Sequence, residues 1–97
     1  MAERTRNGVR GIVLDERVTF TLRELSHACG VETELLVEMV DEGVIEPAVV
    51  ETEWQFYGDS LIRARRAIRL VRDLELNWPG AALALDLLDE LERLQKR

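Results

Sequence analysis

A chain of 97 residues can form one small core, and so small a core gains stability from association with a second copy. Its composition, 46% apolar and 33% charged with few aromatics, is that of a folded, soluble, helix-rich protein. The net charge of −6, from 19 acidic against 13 basic residues, works against non-specific contact with nucleic acid or an anionic membrane, since both are polyanions.

The only cysteine, Cys29, excludes an internal disulfide and fits a reducing cytoplasm. The opening "MAERTRNGVRG" has no apolar run behind it, so it does not read as a signal peptide. No apolar stretch approaches the ~20 residues that cross a bilayer. A soluble cytoplasmic protein is expected.

Residues 1–8 are polar and aperiodic and read as a flexible arm. "VRGIVLDERVTF" (9–20) is β-branched and roughly alternating, with Asp15-Glu16 as a turn, and predicts one or two short strands. In "TLRELSHACG" (21–30) Thr21 is an N-cap and Glu24, three residues on, completes a capping box. Leu22, Leu25 and Ala28 then share the inner face of a short helix, and Gly30 is its left-handed stop.

"VETELLVEMVDEGVIEP" (31–47) follows. A helix over about 32–42 places Leu35, Leu36, Met39 and Val40 on one arc, the core side. Glu34, Glu38 and Asp41 fall within roughly 60° of each other on the opposite side, flanked by Glu42 and Val37. Gly43 ends this helix and Pro47 prevents its resumption. The stretch contains six carboxylates and no Lys or Arg.

"AVVETEWQFYG" (48–58) reads as a hairpin or wing with a polar Glu51-Thr52-Glu53 tip. A long helix from about Asp59 to Leu74 has Leu61, Ala64, Ile68 and Val71 as its buried stripe, with Arg63, Arg65, Arg66, Arg69 and Arg72 over the rest. "ELNWPG" (75–80) breaks the chain: Asn77 is an N-cap, and Pro79 suits a first turn, where a missing N–H costs nothing. The last helix, to about Lys96, carries two apolar stripes, Ala84, Leu88 and Leu91 on one and Leu83, Leu87 and Leu94 on the other. One stripe suffices for a neighbouring helix, so the other is expected at a homodimer interface, with Leu83, Leu87, Leu91 and Leu94 as candidate contacts.

This order of short helix, turn, second helix, aromatic wing, long helix and capped last helix resembles the MerR superfamily of winged helix-turn-helix proteins. Within it, "LRELSHACGVETELLVEMVDEGVIEP", the wing "WQF", "RARRAIRLVRDLELN" and "ALALDLLDELERL" resemble the CbpM family of chaperone modulators, a MerR-like group, over about residues 18–95. The segment before residue 18 is longer than the family pattern leads one to expect. The resemblance implies a mainly α, MerR-like winged helix-turn-helix. Strands, helix-turn-helix and wing would span 9–58 and a C-terminal helix pair 59–97, in one compact domain. It further implies an adaptor, not an enzyme, that binds the J domain of CbpA, a DnaJ-like co-chaperone, and opposes its work with the chaperone DnaK.

A recognition helix that enters DNA needs Arg, Lys, Asn or Gln to meet phosphates and base edges. The 31–47 helix presents carboxylates instead, and carboxylates repel phosphates. J domains, the resemblance implies, present a basic helix to DnaK, so Glu34, Val37, Glu38, Asp41 and Glu42 are the candidate partner-binding residues. Against this stands the plainer reading of a solvated helix face. The arginines read either as a phosphate-binding stripe, as in a MerR-like DNA-binding regulator, or as ion-pair partners for the many acids nearby, and the abundance of acids favours pairing. Of the wing aromatics, Trp54 and Phe56 suit the core and Tyr57 is the candidate wing contact. His27 and Cys29 lack the further ligands that a metal site needs. No nucleophile–base set and no Gly-rich phosphate loop appears, so no catalytic residue and no cofactor is expected.

Overall fold

The computed structural model describes residues 18–96; the expected arm over 1–8 and most of the expected strand region over 9–20 lie outside the described residues. Strand β1 (Thr19–Thr21) leads into helices α1 (Leu22–Cys29) and α2 (Thr33–Asp41), then strand β2 (Gln55–Tyr57) and helices α3 (Gly58–Leu74) and α4 (Trp78–Gln95). The fold is mainly helical, with a helix-turn-helix and a small β wing.

Each boundary has a local cause. Thr21 Oγ1 accepts from the Glu24 backbone N–H at 3.1 Å, and the Glu24 carboxylate accepts from the Thr21 N–H at 2.9 Å, so the capping box is closed on both sides. Gly30, at φ 71°, ends α1 with its N–H on the carbonyls of Ser26 and His27. The Ser26 hydroxyl donates to the Val31 carbonyl, which fixes the turn between the two helices. α2 closes the same way: Gly43 sits at φ 79°, and the Val44 N–H reaches back to the Met39 carbonyl at 2.8 Å. Asn77 Oδ1 accepts from the Gly80 N–H at 2.8 Å and starts α4, with Pro79 in its first turn.

β1 and β2 pair antiparallel, with Thr19 opposite Tyr57, Phe20 opposite Phe56 and Thr21 opposite Gln55. The expected hairpin within 48–58 is reduced to a bridge between Val49 and Gln55 around the exposed Glu51-Thr52-Glu53 tip. The main partner of β2 is β1, 36 residues away at the Thr19 Oγ1 to Gln55 Oε1 hydrogen bond of 2.8 Å. Phe56 is fully buried, and Trp54 packs edge-on against it with ring centres 6.2 Å apart.

The core collects Leu25 from α1, Leu36 and Met39 from α2, Val44 and Ile45 from the following loop, Phe56 from β2, Leu61, Ala64 and Ala67 from α3, and Ala81 and Leu85 from α4. Leu35 and Val40 pack at its edge, so the apolar arc expected for α2 faces inward.

Two stripes differ from expectation. On α1 Ala28 is exposed, and Cys29 packs against the core in its place. On α4 the packed stripe is Ala81, Leu85 and Leu88, while Leu91 is 53% exposed; the stripe expected on Ala84, Leu88 and Leu91 is rotated from the true one by roughly half the angle between adjacent residues. The small Ala64, Ala67 and Ala81, all fully buried, let α3 and α4 approach closely and so set which side of α4 faces inward.

Candidate protein-binding site

α2 sits where a helix-turn-helix protein places its recognition helix, and its outward face is acidic. Glu34, Glu38, Asp41 and Glu42 are exposed and Val37 is half-buried among them. Among the described residues no cation lies within ion-pair distance of these four carboxylates. The helix dipole favours Glu34, in the first turn, but opposes Asp41 and Glu42 at the C-terminal end. The cluster therefore adds mutual repulsion and little internal attraction to the fold. A cationic surface laid on it relieves that repulsion.

The arginines of α3 divide into two sets. Arg63, with a side chain only 24% exposed, donates Nε to the Val44 carbonyl at 2.5 Å and its two terminal nitrogens to Asp86 at 2.9 Å and Asp89 at 3.3 Å. One guanidinium thus ties the loop after α2 to the side of α4, using the fork geometry that a lysine lacks. Arg66 leans toward Glu92 at 3.7 Å. Arg65, Arg69 and Arg72 are exposed, and their spacing puts them on one face of α3. Pairing thus accounts for Arg63 and Arg66. Sequence reasoning did not single out Arg63, because its partners lie 19 to 26 residues away and only the packed helices bring them together.

Tyr57 is half-buried; it closes β2, stands at the N-cap position of α3 without a side-chain capping bond, and lines a groove beside the loop after α2. Leu83, Leu87, Leu91 and Leu94 are 60%, 57%, 53% and 50% exposed and form a continuous seam on the side of α4 that faces away from α3. Apolar surface of this extent on one helix face is uncommon on a monomer. His27 is exposed, and Cys29 is half-buried with its thiol pKa pushed up by burial, the nearby Arg65 pulling weakly the other way. Among the described residues no three ligating side chains gather into a metal-holding group. None of the described helices is long and apolar enough to cross a membrane.

Comparison with known proteins bears on this arrangement. The family model described as "MerR HTH family regulatory protein" matches residues 20–97. A chaperone modulatory protein CbpM from Coxiella burnetii is 40% identical over 94 residues, 96% of this chain and 89% of that protein. Its counterpart from Escherichia coli is 42% identical over 80 residues, 81% of this chain and 79% of that protein. The Coxiella alignment extends into residues 1–17, so that segment, unexpected from the family pattern, has a counterpart there. The chain belongs to the CbpM family of chaperone modulators, within the MerR-like helix-turn-helix proteins.

Proposed function

We propose that this protein is a non-enzymatic adaptor that binds the J domain of a DnaJ-like co-chaperone of the CbpA type and inhibits its stimulation of DnaK. The carrying observation is the exposed carboxylate face of α2, Glu34, Glu38, Asp41 and Glu42 around Val37, at the position where the fold would otherwise meet DNA. A basic helix laid on this face gains charge-assisted contacts, and Val37 gives it an apolar centre. A J domain held there cannot present the same basic helix to DnaK, so inhibition is competition for one surface. The chaperone-modulatory names of the relatives support this reading. No cofactor is required.

The working unit is a homodimer joined through Leu83, Leu87, Leu91 and Leu94. Leu87→Glu with Leu91→Glu, both at exposed positions, should leave the helical content intact and give a monomer on sedimentation. A variant that sediments like the wild-type dimer would remove the seam as the interface.

Changing Glu34, Glu38 and Asp41 together to Lys should abolish capture of a purified J domain in a pull-down. Undiminished capture would eliminate α2 as the contact. A second reading, a MerR-like DNA-binding regulator, is favoured by the exposed Arg65, Arg69 and Arg72. Duplex binding whose logarithmic salt slope is about −0.9 per phosphate contact would support it over the adaptor.

A further inference from the structure

A groove of about 710 Å³ opens where the loop after α2, the start of α3 and the middle of α4 meet. Its floor includes the buried Val44, Ile45 and Leu85. Four carboxylates line it, Glu46, Asp59, Asp86 and Asp89, against two guanidiniums. Asp86 and Asp89 are engaged by Arg63, and Arg66 leans toward Glu92, which is outside the lining. Glu46 and Asp59 remain exposed, with no cation within ion-pair distance among the described residues, and they share the groove with Tyr57. The Ser60 hydroxyl, 9% exposed, reaches the Glu46 carbonyl at only 3.5 Å, so it is left with bonding capacity inside the groove.

This lining selects among ligands. An anion would meet the uncompensated carboxylates of Glu46 and Asp59, with Arg63 fully engaged and Arg66 drawn toward Glu92. A neutral apolar ligand would strip water from those carboxylates without replacing it. A cation on an aliphatic stem suits every part: the stem lies on the apolar floor, and the charge meets Glu46 and Asp59 beside the aromatic Tyr57. The groove is also continuous with the acidic helix, since α2 ends at Asp41, Glu42 follows and Gly43 already lines the groove.

We propose that this groove receives a lysine or arginine side chain from the partner whose basic helix lies along α2. The proposal rests on the adaptor reading above and adds to it a second point of attachment, which fixes the register of the partner helix.

Calorimetric titration of the J domain of a DnaJ-like co-chaperone tests both together. Glu46→Gln with Asp59→Asn should weaken binding on the order of tenfold, and Glu46→Gln alone by a smaller factor. Tyr57→Leu should weaken it comparably, while Tyr57→Phe, which keeps the π face, should bind nearly as the wild type does. Thermal melts matching the wild type establish that Glu46→Gln, at an exposed position, stays folded. Wild-type affinity in the Glu46/Asp59 pair, with binding lost in the Glu34/Glu38/Asp41 reversal, would overturn the groove and leave the adaptor reading standing. Weakened groove variants with an unaffected α2 reversal would uphold the groove and overturn α2 as the face beside it. A J domain that does not bind the wild-type protein would overturn both.

Discussion

Helices α2 and α3 each carry a cluster of like charges, and the two clusters stand in different relations to the fold. The acids of α2 face outward and engage no cation among the described residues, whereas Arg63 of α3 makes three contacts, to Val44, Asp86 and Asp89, and Arg66 leans toward Glu92. Like charges on an exposed face repel, so the α2 cluster is retained at some cost to stability. The arginines nearest the core reduce repulsion on the opposing helix by neutralising its acids. Under the proposed function one cluster serves a partner, while the other serves, in part, the structure.

The largest expected effect breaks the first half of that comparison. Reversing Glu34, Glu38 and Asp41 to Lys should weaken J-domain binding by at least about 100-fold, since each contact becomes a like-charge clash. The same variant should melt within a few degrees of the wild type, because the acids contribute little to the fold. A large fall in melting temperature with binding retained would reverse the assignment and make the acidic face structural.

The second half is tested by Arg63→Ala. It strands the carbonyl of Val44, a residue only 1% exposed, and leaves Asp86 and Asp89 facing each other without a cation. A loss of about 1–3 kcal/mol is expected, read as a thermal-melt shift of roughly 4–8 °C per kcal/mol. Arg63→Lys should recover only part, since an ammonium cannot reach in three directions with the same geometry. An Arg63→Ala melt equal to the wild type would mean that the tie between α2's loop and α4 contributes nothing.

How much of this could be read from the chain follows the range of the interactions. Thr21, Glu24, Gly30, Gly43 and Asn77 act within a few residues of themselves, and all five perform the capping or stopping roles that their spacing predicts. The acidic face of α2 was equally legible, because helical periodicity alone separates it from Leu36 and Met39. α4 was not, since it is apolar over so wide an arc that periodicity allows several packed stripes. The choice of Ala81 and Leu85 depends on the alanines of a different helix. On α1 the error was one residue, Ala28 for Cys29, which an eight-residue helix with one fully buried position cannot resolve from pattern. The Arg63 tie and the groove both need α4 brought against the loop after α2 and the start of α3, so of their residues only Tyr57, as a wing aromatic, stood out as a contact in the sequence.

A smaller effect separates the outer arginines from the inner one. Arg65, Arg69 and Arg72 changed singly to Ser should each move stability by no more than about 0.5 kcal/mol, as is usual for exposed positions. J-domain affinity should be unchanged in all three, because they lie on a helix other than the acidic one. A loss of J-domain binding in any of them would show that α3 also carries the contact, and the two-helix contrast would fail.

The smallest effect concerns Arg65 as a source of potential at Cys29. Burial raises the thiol above its ordinary value of 9.0 and Arg65 opposes this, so the folded protein keeps the proton where the unfolded chain begins to lose it. The sign follows from linkage: above pH 9.0 the unfolded state binds fewer protons than the folded one, and stability falls as pH rises through that region. At pH 8 alkylation of Cys29 should be slower in the native protein than in denaturant, because less of it is thiolate and part of it is covered. Removing the guanidinium in Arg65→Ser removes the one favourable charge. Alkylation should then slow further, since less of Cys29 is thiolate without that charge. Because α1 and α3 meet at this point, faster alkylation in Arg65→Ser would mean that the side chain shields Cys29 from the reagent more than it stabilises the thiolate. Arg65 would then join Arg63 as an arginine that the packing uses.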